Sequence, residues 1–135
     1  MNRIALISND KKEKQLGGFR MGMVTKATDK FQLCIDACVK CTQACYECFD
    51  ACLKETDVTK RKKCLFILME CAKMCETSVA LMSMNGHQAY EYCELCGKIC
   101  AKCAQECGVM EDEHCKKCAA ICKDCADECI KVSST

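Results

Sequence analysis

Cysteine recurs along this chain at intervals of three and four residues. The first run is Cys34, Cys38, Cys41, Cys45, Cys48 and Cys52, and a sparser one follows with Cys64, Cys71 and Cys75. The alternation returns in Cys93, Cys96, Cys100, Cys103 and Cys107, and again in Cys115, Cys118, Cys122, Cys125 and Cys129. Thiols at this density can pair as disulfides, ligate an iron–sulfur cluster, hold zinc, or bind a soft monovalent ion such as Cu(I). The 3/4 rhythm places successive sulfurs on one face of a helix, so each run aims a row of thiols along a single line. Where a helical core would ordinarily carry leucine, this sequence carries sulfur.

The four chemistries are not equally favoured. Residues three or four apart on a helix have Cβ atoms about 5–6 Å apart, wider than the roughly 3.8 Å a disulfide prefers. Neighbours along one run therefore do not suit each other as disulfide partners, although cross-helix pairs remain open to oxidation in air. The bacterial ferredoxin run C-x2-C-x2-C-x3-C-P is absent, and the 135 residues contain no proline to complete it. A four-thiolate zinc site carries two net negative charges, and stacking several inside one apolar tube buries charge at high cost. One Cu(I) per thiolate leaves the interior close to neutral, and Cu(I) prefers soft sulfur. Eight C-x3-C pairs suit this ion: Cys34 with Cys38, Cys41 with Cys45, Cys48 with Cys52, Cys71 with Cys75, Cys96 with Cys100, Cys103 with Cys107, Cys118 with Cys122, and Cys125 with Cys129. The residues favour a non-enzymatic Cu(I) store, with an iron–sulfur electron carrier and a zinc-buffering protein as alternatives.

The elements that must position these thiols follow from the punctuation. Leu, Ile, Val and Phe supply only 25 residues, and cysteine, a small and readily buried hydrophobe, makes up the core. Proline-free runs predict four helices: from Thr28 or Asp29 to about Lys54, from Thr56 or Asp57 to about Met84, from about His87 to Gly108, and from Glu111 or Asp112 to about Lys131. Asn85 and Gly86 tolerate the left-handed exit between the second and third. Short connections predict an all-α, antiparallel up-down-up-down four-helix bundle over residues 28–133 with a cysteine-lined core. Residues 1–27, with Gly17, Gly18 and Gly22 and no sustained period, read as a loose or weakly helical extension.

Helix direction gives the bundle two unlike ends. The seam of the second helix reads Cys64, Leu68, Cys71, Cys75, Ser78, Met82, so its thiols fade along its length. The end near Phe31, Leu81, Met82 and Tyr90 reads as an apolar plug. The opposite end gathers Cys52, Cys64, Cys107 and Cys115 with Met110 and His114, whose thioether and imidazole are weaker ligands than thiolate and suit a receiving site. A second stripe, Ile35, Val39, Thr42, Tyr46, Phe49 and Leu53, either flanks the core or forms an oligomer contact.

Twenty basic and nineteen acidic residues give a net charge of +1, which offers no case for nucleic acid. The run Lys60, Arg61, Lys62, Lys63 reads as a solvated face at a helix start. No apolar stretch approaches a membrane span, and Ile4 to Ile7 is too short for a secretory segment, so the expected location is the cytoplasm.

Over about residues 31–130 the chain resembles the bacterial copper storage proteins of the cytosolic type. The resemblance rests on the cysteine seams, on the fading of thiols from Cys64 to Met82, and on His114 directly before Cys115. It implies a four-helix bundle filled with many Cu(I) ions bound mainly by thiolate, and a homotetramer; bridging thiolates in a neutral array favour about one ion per cysteine. A copper chaperone or a low-molecular-weight thiol would deliver or remove the metal. The chain departs from the family in its N-terminal extension and in a third connection with Met110 and a single histidine.

Overall fold

A computed structural model describes residues 20–135. The four long helices are α1 (Gln32–Leu53), α2 (Lys62–Ser83), α3 (Ala89–Gly108) and α4 (Glu113–Ser133), with single 3₁₀ turns at Asp29–Phe31 and Val58–Arg61 leading into α1 and α2. No strand occurs among the described residues. Each helix packs on its sequence neighbours, and α4 closes the ring against α1. The short connections make neighbouring helices antiparallel, which is the expected up-down-up-down bundle.

Two details of the helix starts differ from expectation. The sequence puts side-chain caps at Thr28 or Asp29 and at Thr56 or Asp57, whereas the α-helices begin a turn later, at Gln32 and Lys62, and no N-cap side chain hydrogen-bonds to any helix start. The Asp57 carboxylate accepts from Arg61 instead. A 3₁₀ turn tightens each entry into the helix and satisfies backbone groups that a cap would otherwise take. The exit from α2 is as the sequence suggests: Asn85 is left-handed with φ 51°, and the Gly86 amide donates to the Leu81 carbonyl at 2.8 Å.

Of the expected N-terminal extension, residues 1–19 lie outside the described residues. Within the remainder, Arg20 pairs with Asp36 of α1 at 3.0 Å, and the Gly22 amide donates to Asp29.

The core is a column of sulfur with a hydrocarbon end. All nineteen cysteines are buried and unpaired by disulfides. Phe31, Leu68 and Met82 are the largest of the fully enclosed side chains. The rings of Phe31 and Tyr90 stand 5.4 Å apart near the start of α1, Leu81 is half-buried and Tyr90 lies at the surface. On the second stripe Ile35 is buried, Tyr46 and Phe49 pack partly against the core, and Val39 and Leu53 are exposed. Helix α3 sits close to α4 because Gly97 has no side chain: a Cβ there would meet Cys129 Cβ and Ile130 Cγ1, both at 3.3 Å.

Candidate metal centre

The thiols of four helices meet across the bundle axis. Toward the plugged end, Cys34 and Cys129 are 3.4 Å apart, and Cys38 lies 3.6 Å from Cys125. At mid-height Cys71 is 3.5 Å from Cys100, Cys75 is 3.6 Å from Cys100 and 3.8 Å from Cys96, and Cys41 is 3.7 Å from Cys122. Further along, Cys122 is 3.6 Å from Cys103 and 3.7 Å from Cys45, with Cys118 at 3.9 Å. At the far end Cys52 meets Cys115 at 3.6 Å, Cys48 meets Cys115 at 3.9 Å, and Cys64 meets Cys107 at 3.5 Å. Cys93 is buried on α3, with its thiol facing that of Cys34.

These contacts form overlapping sets, each compact enough for one ion. Ligand atoms lie within 4.8 Å of one another in Cys41, Cys71, Cys75 and Cys100; in Cys41, Cys45, Cys71 and Cys122; in Cys34, Cys38 and Cys129; and in Cys38, Cys75 and Cys125. Cys41 and Cys71 belong to both four-thiol sets, so a sulfur there must bridge two ions if both sets fill. Shared sulfurs favour a monovalent, low-coordinate ion over zinc, whose tetrahedral sites each want four ligands of their own.

The thiols are also linked through their protons. Each thiol can donate to the next, so ionising one thiol makes it harder to ionise its neighbours. Hydrogen bonds from Cys125, Cys34 and Cys38 hold Cys129 down at about 6, whereas its neighbours Cys34 and Cys38 are pushed well above the usual thiol range. Cys100 is also pushed up, by Cys125 first, and burial followed by Cys52 raises Cys115 to about 12. Raised and lowered thiols thus stand side by side in the array, and a metal cation entering it displaces the protons that remain.

The end away from the plug carries nitrogen and charge. His114 Nδ1 lies 3.5 Å from Cys115 Sγ and 3.7 Å from Cys48 Sγ, while its Nε2 faces Glu55 at 3.3 Å. Cys48, Cys52, His114 and Cys115 form a further compact set. Met110 is half-buried against the core at the same end.

One residue here contradicts the sequence reading. Lys60, Lys62 and Lys63 are exposed, but Arg61 is not part of a solvated face: it is only 4% exposed. Its burial follows from two carboxylates supplied by the first and third inter-helix connections, Asp57 at 2.6 Å from Nε and Asp112 at 2.6 Å from Nη1. A periodic cue was available, because Arg61, Cys64, Leu68, Cys71 and Cys75 fall in one 3/4 register. Ser78 shares that register and is enclosed with no partner for its hydroxyl.

Comparison with known proteins agrees with this geometry. A family model described as copper storage protein matches residues 27–134. A cysteine-rich protein of Bacillus subtilis (strain 168), YhjQ, is 38% identical over 77 residues, which cover 57% of this chain and 71% of that protein. The Cu(I)-bound copper storage protein BsCsp3 superposes with a TM-score of 0.75 at 36% identity, covering 77% of this chain and 98% of that one. A cytosolic copper storage protein from Streptomyces lividans, captured during copper loading with five coppers, gives 0.74 at 32% identity, covering 81% and 96%.

Proposed function

This chain belongs to the copper storage protein family, and from that premise we propose that it stores and buffers Cu(I) in the cytoplasm as a sink and not as a catalyst. The observation that carries the reading is the column of nineteen enclosed, reduced thiols, eighteen of which lie 3.4–4.0 Å from another thiol. Copper is the cargo. As each ion arrives, a thiol proton leaves for solvent and a sulfur–copper bond takes its place, so the interior stays near neutral while it fills. Shared sulfurs such as Cys41 let one thiolate serve two ions, which sets capacity near one Cu(I) per cysteine.

Metal analysis of protein isolated from copper-replete cells without chelator, followed by anaerobic titration, tests this. Saturation at roughly one Cu(I) per cysteine in a colourless protein is expected. A brown protein would indicate iron–sulfur clusters. Saturation near one ion per four thiols, with zinc displacing copper, would indicate a zinc buffer.

Copper passes through the end that carries Cys48, Cys52, Cys115 and His114, with Met110 beside it. Two features support this reading. At the opposite end Phe31 and Met82 are enclosed, and His114 offers a nitrogen to the outermost sulfurs. A weaker imidazole ligand suits an ion in transit. The donor or acceptor is a copper chaperone or a low-molecular-weight thiol. No helix among the described residues is long and apolar enough to cross a membrane, which fits a cytoplasmic setting. The exposed Val39 and Leu53, beside Tyr46 and Phe49 on the outer stripe of α1, suit contacts between copies in a homotetramer.

A further inference from the structure

Arg61 reaches past its carboxylate partners to the sulfurs themselves. Its Nη1 donates to Cys52 Sγ at 3.6 Å and to Cys115 Sγ at 3.8 Å, and these two sulfurs are 3.6 Å apart. The same Nη1 donates to Asp112 Oδ2, while Nε and Nη2 hold Asp57. The guanidinium thus spans the α1–α2 and α3–α4 connections and covers two members of the outermost ligand set, Cys48, Cys52, His114 and Cys115. A guanidinium does not lose its proton in proteins, so its charge cannot be discharged in place. Lying over these two sulfurs, the guanidinium stands in the approach of an arriving Cu(I) ion, and its fixed positive charge opposes that of the ion.

We propose that Arg61 is a displaceable latch over the mouth of the thiol column, a positioning residue that is not itself a ligand. In the empty protein it fastens both connections and caps Cys52 and Cys115. When an ion binds these two sulfurs, their protons pass to solvent, no electron changes hands, and the guanidinium swings outward with the part-exposed Asp57. The latch limits the rate of exchange at this end and leaves capacity alone. The inference rests on the Cu(I)-storage reading and on this end being the mouth.

The test uses the full chain with Cu(I) presented as, or withdrawn into, its complex with a chromogenic chelator, under anaerobic conditions. Arg61→Gln and Arg61→Met should both exchange copper roughly tenfold faster, the scale on which one charge-assisted hydrogen bond alters an equilibrium, with saturation unchanged. In the wild-type protein the Arg61 ¹⁵Nε–¹H, held on Asp57 in the empty state, should exchange with solvent faster as the mouth set fills, whereas an arginine that stays on Asp57 would keep its protection. Wild-type exchange rates in both variants at full capacity would overturn the latch and leave storage standing. A wild-type protein that takes up no Cu(I) would overturn the storage reading itself. If the variants fail to fold, the wild-type Nε–H decides: faster solvent exchange on loading supports the latch, and protection retained through saturation removes it.

Discussion

The sulfurs of Cys34 and Cys129 touch at 3.4 Å although 95 positions separate them in the chain. Together they join the first turn of α1 to the last turns of α4 and close the ring of helices at the plugged end. Mild oxidation of the metal-free protein with diamide should therefore form the Cys34–Cys129 disulfide ahead of any bridge along one helix, such as Cys96 with Cys100, whose Cβ separation is unsuited to the bond. Peptide mapping after alkylation checks the pairing. Loading with Cu(I) should protect both thiols, and a first bridge within one helix would contradict the geometry.

The bundle should fold without metal. Its helices are long and proline-free, and its thiols pack as small apolar groups around Phe31, Leu68 and Met82. Circular dichroism of the reduced, metal-free protein should give a helical spectrum. Leu68→Ala should lower the stability of that form by about 3 kcal/mol, as for other enclosed leucines, with copper capacity unaltered because no ligand is removed. A coil spectrum that turns helical only with copper would show that the apolar contacts are too weak to hold the fold alone.

Capacity should scale with the seams. Replacing Cys96, Cys100, Cys103 and Cys107 of α3 by alanine removes partners of Cys71, Cys75, Cys122 and Cys64. Titration of this variant should saturate lower by about four ions or slightly more, since bridging sulfurs serve more than one. An unchanged endpoint would mean that copper binds elsewhere.

The two ends should differ in kinetics. His114→Ala with Met110→Ala should slow copper transfer to and from a chelator with little change in final stoichiometry. Met82→Ala and Tyr90→Ala, at the plug, should leave the rates alone. Faster exchange in the plug variants, with normal rates in the other pair, would put the mouth at the opposite end.

The seams were readable because a thiol every three or four residues is a periodic signal, and periodicity alone dictates which face is enclosed. Ser78 and Met82 were likewise placed on the seam by spacing. The helix starts were less legible, since Asp57 has the chemistry of a cap but is engaged by Arg61. Arg61 itself was hidden among Lys60, Lys62 and Lys63, and its partner Asp112 lies 51 positions away in another connection. Only the closed bundle brings those two connections together. The close approach of α3 to α4 at Gly97 is similarly a tertiary fact, and no local pattern announces it.

The enclosure of Phe31 and Met82 at one end has a consequence for the history of the cargo. If the end proposed above is the single mouth, the column works as a stack: the ion that arrives last sits outermost and departs first. Copper bound early, around Cys34, Cys38 and Cys129, would then be a long-term reserve, and copper bound late, around Cys52 and Cys115, ready supply. Protein charged first with one copper isotope and then with another should release the second before the first. The same chain would then serve two timescales of demand with one kind of ligand, sorted only by depth.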